Sequence, residues 1–348
     1  MSFLGSLVSR RQILGRLLPG LAGAALALPA RAAPGPAVAP PAASGLAALR
    51  DGVLIAARSV GNRLWVADNR GHLLSSDDGG ANWRVLGAAA PGALTSIAFG
   101  AGPAQRLGVA VGHRRAVRRS VDGGQTWLAA ALPTQDAVTL LDAVVLSATQ
   151  ILAVGAFGAC WGSNDAGASW KRLSPSKGDR HYNACAANAQ GQVVIVGEAG
   201  LILRSADGGQ SWAEVNTPNK ASLFAVATTS AGHFVAAGLG GVVLSSSDGG
   251  AQWAVHSAAQ RQSWLGVTAL DDGSVLLAGS GGALSHWAHD SASGNWSPVK
   301  QVREGYGAWC ALLPCTPAGG APALLAVGEI GVRRLDRAAW VMPVGAAL

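Results

Sequence analysis

The chain has few charged residues, few tyrosines and few cysteines, and each shortage argues against a class of protein. Only 13% of its 348 residues are charged, whereas 49% are hydrophobic. A disordered chain needs the opposite balance. Four cysteines are too few for a disulfide-dense mini-protein, and 48 glycines argue against long helical bundles or coiled coils. Beyond residue 32 there is no run of about 18 apolar residues, so the sequence predicts no transmembrane span in the mature chain.

The excess of positive charge is concentrated at the N-terminus. The formal net charge is +7, from 26 Lys and Arg against 19 Asp and Glu. Four arginines (Arg10, Arg11, Arg16 and Arg31) lie in the first 32 residues, where there is no acidic residue. The remaining chain therefore carries 22 basic and 19 acidic residues, a net charge of +3. This small excess gives little support to nucleic acid as a partner, and we expect none for an exported protein.

The first 32 residues have the features of an export signal. Ser9–Leu14 resembles the twin-arginine motif, a short apolar stretch follows, and Ala30–Ala32 offers a small-residue cleavage site. We therefore expect a signal peptide over 1–32, a Pro/Ala linker over 33–44 and a periplasmic location. An uncleaved N-terminal anchor is the alternative.

One short string, S-x-D-G-G-x-x-W, recurs along the rest of the chain. Successive Trp residues of this string are 41 to 44 residues apart, a period typical of propellers. Four clear copies contain Asp78 and Trp83, Asp122 and Trp127, Asp207 and Trp212, and Asp248 and Trp253, and a weaker copy contains Asp165 and Trp170. Two decayed copies end at Trp296 and Trp340.

A second string, G-x-x-G between apolar residues, precedes each of these boxes; it is complete in five repeats, whereas Asp68 replaces the first Gly in the first repeat and Arg115 the second Gly in the second. Each repeat then divides into four short strands, a to d, with G-x-x-G between b and c and the box between c and d. Four antiparallel strands repeated seven times predict an all-β fold, a single seven-bladed β-propeller over 45–348 with Asp-box turns. In these turns we expect the glycines to adopt positive φ and the Asp carboxylate to accept backbone N–H groups. The Trp should pack between blades, so the box is a structural device.

The box and its G-x-x-G partner resemble the bacterial-neuraminidase-repeat (Asp-box) superfamily. Within it, the run VGEAGLILRSADGGQSW (Val196–Trp212) resembles the photosystem II stability/assembly factor family and its relatives in non-phototrophic bacteria. The resemblance covers about residues 50–345. It implies a non-enzymatic, protein-binding propeller, which in phototrophs is a lumenal chaperone of photosystem assembly.

Enzymatic alternatives have little support in the sequence. A sialidase needs an arginine triad and a Tyr–Glu nucleophile pair, and only Glu304 with Tyr306 offers such a pair. His286 and His289 are the one His pair spaced to share a metal, in a decayed repeat. We expect no catalytic residue, cofactor or metal site. A carbohydrate-active propeller, either glycan-binding or sialidase/glycosidase-like, remains the alternative function.

The four cysteines allow two interpretations. Cys160, Cys185, Cys310 and Cys315 are too irregularly spaced for a zinc site. One disulfide could form in an oxidising compartment, with Cys310 and Cys315 nearest in sequence, or all four could be buried thiols on blade strands.

Basic and aromatic residues recur in the b–c and d–a loops, which share one face of a propeller. The b–c loops contribute Arg70, His113, Arg114, Arg115 and Phe157. The d–a loops contribute pairs of a basic residue and an aromatic: Arg180 with Tyr182, Lys220 with Phe224, Arg261 with Trp264, and Arg303 with Tyr306. These residues predict a face that binds an envelope or membrane protein through an acidic segment, with the propeller itself a monomer. Alternatively, the aromatics belong to the core of strand a and the basic residues only solvate loops.

Overall fold

The structure is a computed structural model that describes residues 52–257, 261–291, 293–316, 320–321 and 323–336. The expected signal peptide, the linker, a seam strand at Gly45–Leu49 and a last d strand at Trp340–Val344 lie outside the described residues. Among the described residues no helix has the length and hydrophobicity to cross a membrane.

The described strands form seven antiparallel sheets, one for each predicted blade. Blade 1 contains β1 (Leu54–Val60), β2 (Arg63–Asp68), β3 (Leu73–Ser76) and β4 (Arg84–Val85); blade 2 contains β5 (Leu94–Phe99), β6 (Gly108–Gly112), β7 (Val117–Ser120) and β8 (Leu128–Ala129). Blade 3 contains β9 (Leu140–Val145), β10 (Ile151–Gly155), β11 (Cys160–Ser163) and β12 (Lys171–Arg172); blade 4 contains β13 (Tyr182–Ala187), β14 (Val193–Gly197), β15 (Ile202–Ser205) and β16 (Ala213–Glu214). Blade 5 contains β17 (Leu223–Thr228), β18 (Phe234–Gly238), β19 (Val242–Ser246) and β20 (Ala254–Ser257); blade 6 contains β21 (Trp264–Ala269), β22 (Val275–Gly279), β23 (Ala283–Asp290) and β24 (Asn295–Arg303). Blade 7 contains β25 (Trp309–Cys315), β26 (Ala323–Gly328) and β27 (Gly331–Asp336), the strands described for it.

The hydrophobic core lies between the blades. The b strands are buried along nearly their whole length, and in β14 a continuous β-branched run suits a strand covered on both faces. Each pair of adjacent blades shares one cluster of buried side chains. Leu64 and Val66 of blade 1 share theirs with Leu325 and Val327 of blade 7, so the ring closes.

A β-bulge interrupts the pairing of every inner strand at its start, a feature that the sequence did not predict. The bulged residues are Ile55, Thr95, Leu141, Asn183, Phe224, Leu265 and Cys310. Some of them connect neighbouring blades: the Thr95 hydroxyl donates to the Leu140 carbonyl (2.9 Å), and the Asn183 amide donates to the Leu223 carbonyl (2.8 Å).

The box turns share one hydrogen-bond pattern, shown here for blade 4. The Asp207 carboxylate accepts the Ser205 hydroxyl (2.7 Å) and the N–H groups of Gln210 (3.0 Å) and Ser211 (2.9 Å). The Trp212 indole donates to the Gly209 carbonyl (3.1 Å), and both box glycines have positive φ. Equivalent Ser–Asp and Trp–Gly bonds occur at Asp78, Asp122, Asp165 and Asp248.

Each box turn also contacts the blade before it. The box Trp residues lie in the clusters shared with that blade: Trp83, Trp127, Trp170, Trp212 and Trp253. Arginines on the c strands donate across the same boundary, from Arg204 to the Gly249 carbonyl (2.7 Å) and from Arg334 to the Gly79 carbonyl (2.8 Å). Blade 6 has a long β23–β24 hairpin in place of its decayed box.

The four cysteines are free thiols, so of the two interpretations the structure supports thiols on blade strands and not a Cys310–Cys315 disulfide. Both residues lie on β25, five positions apart on an extended strand. That spacing corresponds to roughly 16 Å, whereas Cα atoms joined by a disulfide lie within about 7 Å. The Cys310 thiol instead lies within hydrogen-bond distance of the Val327 carbonyl of its own blade (3.2 Å) and of the Leu54 carbonyl of blade 1 (3.5 Å). Burial raises the pKa of Cys160 to about 12.

Candidate protein-binding face

The b–c loops and the segments that lead into the a strands lie on one face of the ring, as predicted. The Gly158 N–H donates to the Arg180 carbonyl (3.1 Å), and the Glu329 N–H donates to the Ala308 carbonyl (2.9 Å). On the opposite face the box turns contact the a–b turns, for example through the Ala166 N–H and the Thr149 carbonyl (2.8 Å). We call the side formed by the b–c loops (69–72, 113–116, 156–159, 198–201, 239–241, 280–282 and 329–330) and the d–a segments the upper face.

One loop position divides the upper face into two halves. The third residue of the G-x-x-G motif is Arg70, Arg114, Phe157, Ala199, Gly240, Gly281 and Ile330 in blades 1 to 7. Large side chains therefore occupy the adjacent blades 7, 1, 2 and 3, whereas blades 4 to 6 carry only Ala or Gly. We call Ile330, Arg70, Arg114 and Phe157 the arc.

Backbone conformation makes two of the four large residues, Arg114 and Phe157, costly at this position. Arg114 (φ 55°) and Phe157 (φ 54°) are left-handed, like Gly240 (φ 71°) and Gly281 (φ 62°) in the equivalent loops. A residue with a Cβ atom is less stable there by about 1–2 kcal/mol, a cost that glycine avoids. Strained residues of this kind often serve a binding site, so these side chains indicate a role at the surface.

Phe157 is exposed but held in a fixed place. Its side chain is 66% exposed, and its ring lies 4.7 Å from the His181 ring between centroids. The Phe157 N–H donates to His181 Nδ1 (3.0 Å), and Glu198 lies 3.9 Å from the other ring nitrogen. An ordered, exposed aromatic ring is a favourable anchor for a protein partner because little side-chain entropy is lost on binding.

Ile330 is the residue of the arc that sequence reasoning missed. It is 55% exposed and lies over Gly305 and Gly307, on either side of Tyr306. Tyr306 itself is 99% exposed. The signal was present in the sequence, because Ile330 occupies the same position of the repeat as Phe157.

The positive charge of the arc comes from its arginines and not from His113. The Arg114 side chain is exposed and, among the described residues, has no hydrogen bond or ion pair. Arg70 is half-exposed, 3.5 Å from the buried Asp68 carboxylate, and Arg115 donates to the Thr134 carbonyl. Burial lowers the pKa of His113, so this side chain contributes less positive charge to the face than its neighbouring arginines do.

The basic residues predicted in blades 4 to 6 lie at the surface but differ in their contacts and in their positions on loops or strands. Arg180 forms an ion pair with Glu214 of strand β16 (2.6 Å). Lys220 and Arg261 are exposed. Arg303 is also exposed but is the last residue of β24, not a loop residue.

Most of their aromatic partners do not reach the surface. Tyr182 (1% exposed) and Trp264 (0%) are buried, as is Phe224, so placing them on a binding face is wrong. They lie at the start of a strands, where side chains pack against the neighbouring blade; the Tyr182 hydroxyl bonds to Ser176 (2.8 Å). Tyr306 is the exception, since it precedes β25 in an open loop.

The residues considered for catalysis or metal binding make contacts with other side chains. Glu304 is paired with Arg333 (3.0 Å). His286 is buried against Ser274 (2.9 Å), whereas His289 contacts the His233 ring. Within the described part of the chain, no group of three or more His, Cys, Asp or Glu side chains could hold a metal ion.

Comparisons with known proteins agree with this architecture. The family model described as photosynthesis system II assembly factor YCF48 matches residues 92–313. Among solved structures, "YCF48 bound to D1 peptide" is 19% identical with a TM-score of 0.62, covering 82% of this chain and 93% of that chain. YCF48 from Cyanidioschyzon merolae is 17% identical with a TM-score of 0.59, covering 83% and 96%.

Likeness to these structures indicates the fold alone. The WD40 repeats of RRP9 are only 12% identical, yet reach a TM-score of 0.67 over 82% of this chain and 94% of that chain. No curated protein matches the chain. The assignment to a family therefore rests on the family model, which matches more than half of the sequence.

Proposed function

Because the chain belongs to the photosynthesis system II assembly factor YCF48 family, we propose that it is an exported, non-enzymatic propeller that binds a segment of an envelope membrane protein and assists the assembly or stability of that protein's complex. The twin-arginine-like segment Ser9–Leu14 supports export to the periplasm. A related YCF48 has been solved with a D1 peptide, which supports recognition of a peptide segment by this fold.

The arc carries the proposal. It places two arginines, Arg70 and Arg114, between two exposed apolar side chains, Ile330 and Phe157, on four consecutive blades. The segment that fits is extended and acidic at its centre, with an apolar residue at each end. Acidic residues would be steered by the arginines, and the apolar residues would supply buried contact area.

The test is a binding measurement with synthetic peptides from the soluble segments of the host's envelope membrane proteins. Arg70→Glu combined with Arg114→Glu should weaken the best peptide at least about tenfold and reduce the salt dependence of its Kd. Phe157→Ala should weaken the same peptide but leave the salt dependence unchanged, because it removes an apolar contact.

The matched control is Lys171→Glu combined with Arg172→Glu, the same charge change on the exposed outer strand β12. This variant should bind like the wild type. Equal losses in both double variants would show that only net charge matters, and equal wild-type affinity in the Arg70/Arg114 variant would refute the arc as the binding site.

A further inference from the structure

The seven inner strands surround a central channel with a volume of about 620 Å³. Small side chains such as Ala56, Ala98, Ala186 and Ala227 line much of it, and they leave this space open. Small-molecule sites in proteins measure about 300–1,000 Å³, so the channel has the size of a ligand site.

Arg58 of β1 is the one basic residue among the described residues that line the channel. Its side chain is accessible from the channel, and it makes no hydrogen bond or ion pair with any described residue. Desolvation by the surrounding protein lowers the pKa of Arg58, whereas the negative charge of Asp142 raises it. A guanidinium remains charged in proteins, so the channel contains a cation with five N–H donors and no fixed acceptor among these residues.

Asp142 of β9 places a negative charge in the same channel. Its carboxylate accepts the Ser96 hydroxyl of blade 2 (2.6 Å) and the Cys185 N–H of blade 4 (2.9 Å), so three blades fix its position. By strand register Asp142 is level with Ala56, two residues from Arg58. Two residues of extended strand correspond to roughly 7 Å along the channel.

We propose that the channel binds a small organic acid whose carboxylate lies against Arg58 and whose ammonium or hydroxyl group lies against Asp142. The planar guanidinium can donate two parallel hydrogen bonds to a carboxylate. Asp142 would repel a phosphate dianion but would accept a hydrogen bond from a donor at the other end of the ligand. Amino acids and hydroxy acids with a few bonds between the two groups have this chemistry.

This channel site is independent of the proposed peptide-binding function. Arg58 lies within the ring, on the inner strand of blade 1, whereas the arc is formed by loops of the upper face. Loss of channel binding would leave the peptide measurements with the arc variants unaffected, and the reverse also holds.

The experiment titrates the purified protein with 4-aminobutyrate, with butyrate, with the amide of 4-aminobutyrate and with inorganic phosphate, at constant ionic strength, by calorimetry and NMR. The wild type should bind 4-aminobutyrate at least about tenfold more tightly than the other three probes. Arg58→Met should weaken 4-aminobutyrate binding at least about tenfold, and Arg58→Lys should weaken it less, since it keeps the charge but not the fork.

Arg172→Met is the matched control, because Arg172 is an exposed arginine on an outer strand. It should leave the affinity unchanged, and circular dichroism should show that Arg58→Met is folded. The proposal is overturned if the wild type shows no saturable binding of 4-aminobutyrate. It is equally overturned if Arg58→Met binds 4-aminobutyrate as the wild type does, or if phosphate, butyrate or the amide binds as tightly as 4-aminobutyrate.

Discussion

At the residue scale, the box aspartates show how one side chain shapes a turn. Asp78 accepts N–H groups from Asn82 (2.9 Å) and Ala81 (3.0 Å) and the hydroxyl of Ser76 (2.8 Å). All of these groups donate, so the turn favours the ionised carboxylate and disfavours the protonated one. The same bonds lower the pKa of Asp78 to about 2, with the Asn82 N–H as the largest cause. The carboxylate thus has a structural use, which accounts for its recurrence without calcium or catalysis.

The lowered pKa of Asp78 makes stability depend on pH in one direction. An unfolded Asp titrates near pH 3.9, so the stabilising effect is complete above that value and is lost as the pH falls toward about 2. Asp78→Asn should reduce the free energy of unfolding by about 1 kcal/mol at neutral pH and should flatten its decline between about pH 4 and pH 2. Chemical denaturation at several pH values measures both effects.

Asp179→Asn is the control for this prediction, since Asp179 is an exposed loop carboxylate without a hydrogen bond among the described residues. It should leave both the stability and its pH profile near those of the wild type. A profile for Asp78→Asn as steep as that of the wild type would contradict the assigned role of the turn.

At the scale of elements, the first glycine of G-x-x-G in blades 2 to 7 lies too close to the neighbouring inner strand for a Cβ atom. A Cβ atom on Gly197 would lie 2.1 Å from the His181 carbonyl oxygen, and one on Gly238 would lie 2.1 Å from that of Ser222. These are backbone atoms that a rotamer change cannot move. In blade 1 the position is Asp68, whose buried carboxylate accepts the N–H of His72 (2.7 Å) and that of Arg70 (2.9 Å).

Gly197→Ala should therefore destabilise the protein by about 2–3 kcal/mol through steric overlap with the backbone. Gly240→Ala in the next blade should cost only about 1 kcal/mol, because open space surrounds Gly240 and only its positive φ is unfavourable. The free energy of unfolding in urea distinguishes the two. Equal, small losses would show that the b–c loop can move away from the inner strand.

The repeat strings could predict the blades but not whether each side chain is buried or exposed. The spacing from Trp83 to Trp253 fixes the strand order, because each box and each G-x-x-G must lie at a turn. Whether Tyr182 is buried depends on the bulge that follows it, and no repeat string marks a bulge. The lowered pKa of His113 likewise follows from burial, which a single sequence does not show. Ile330 could have been predicted as a residue of the arc, since aligning the repeats places it at the same position as Phe157.

At the scale of the whole molecule, closure makes the boundary between the last and first blades equivalent to the other six. Leu325 (1% exposed) packs in the cluster shared with blade 1, and a Cβ atom on Gly80 would lie 3.3 Å from it. Leu276 (0% exposed) occupies the same position of strand b in blade 6, in the cluster shared with blade 7. A closed ring should unfold cooperatively, because opening any one boundary exposes two apolar blade faces.

Leu325→Ala and Leu276→Ala should thus destabilise the protein equally, each by about 2–5 kcal/mol, although one site is at the seam and the other is not. Both should keep a single unfolding transition in urea, followed by fluorescence and by circular dichroism. In an open ring the seam would already be loosened, so Leu325→Ala would cost under about 1 kcal/mol while Leu276→Ala kept its full effect. That inequality, or a separate early transition in the Leu325 variant alone, would show that the contacts between Arg334 and Gly79 and between Cys310 and Leu54 do not hold the seam closed.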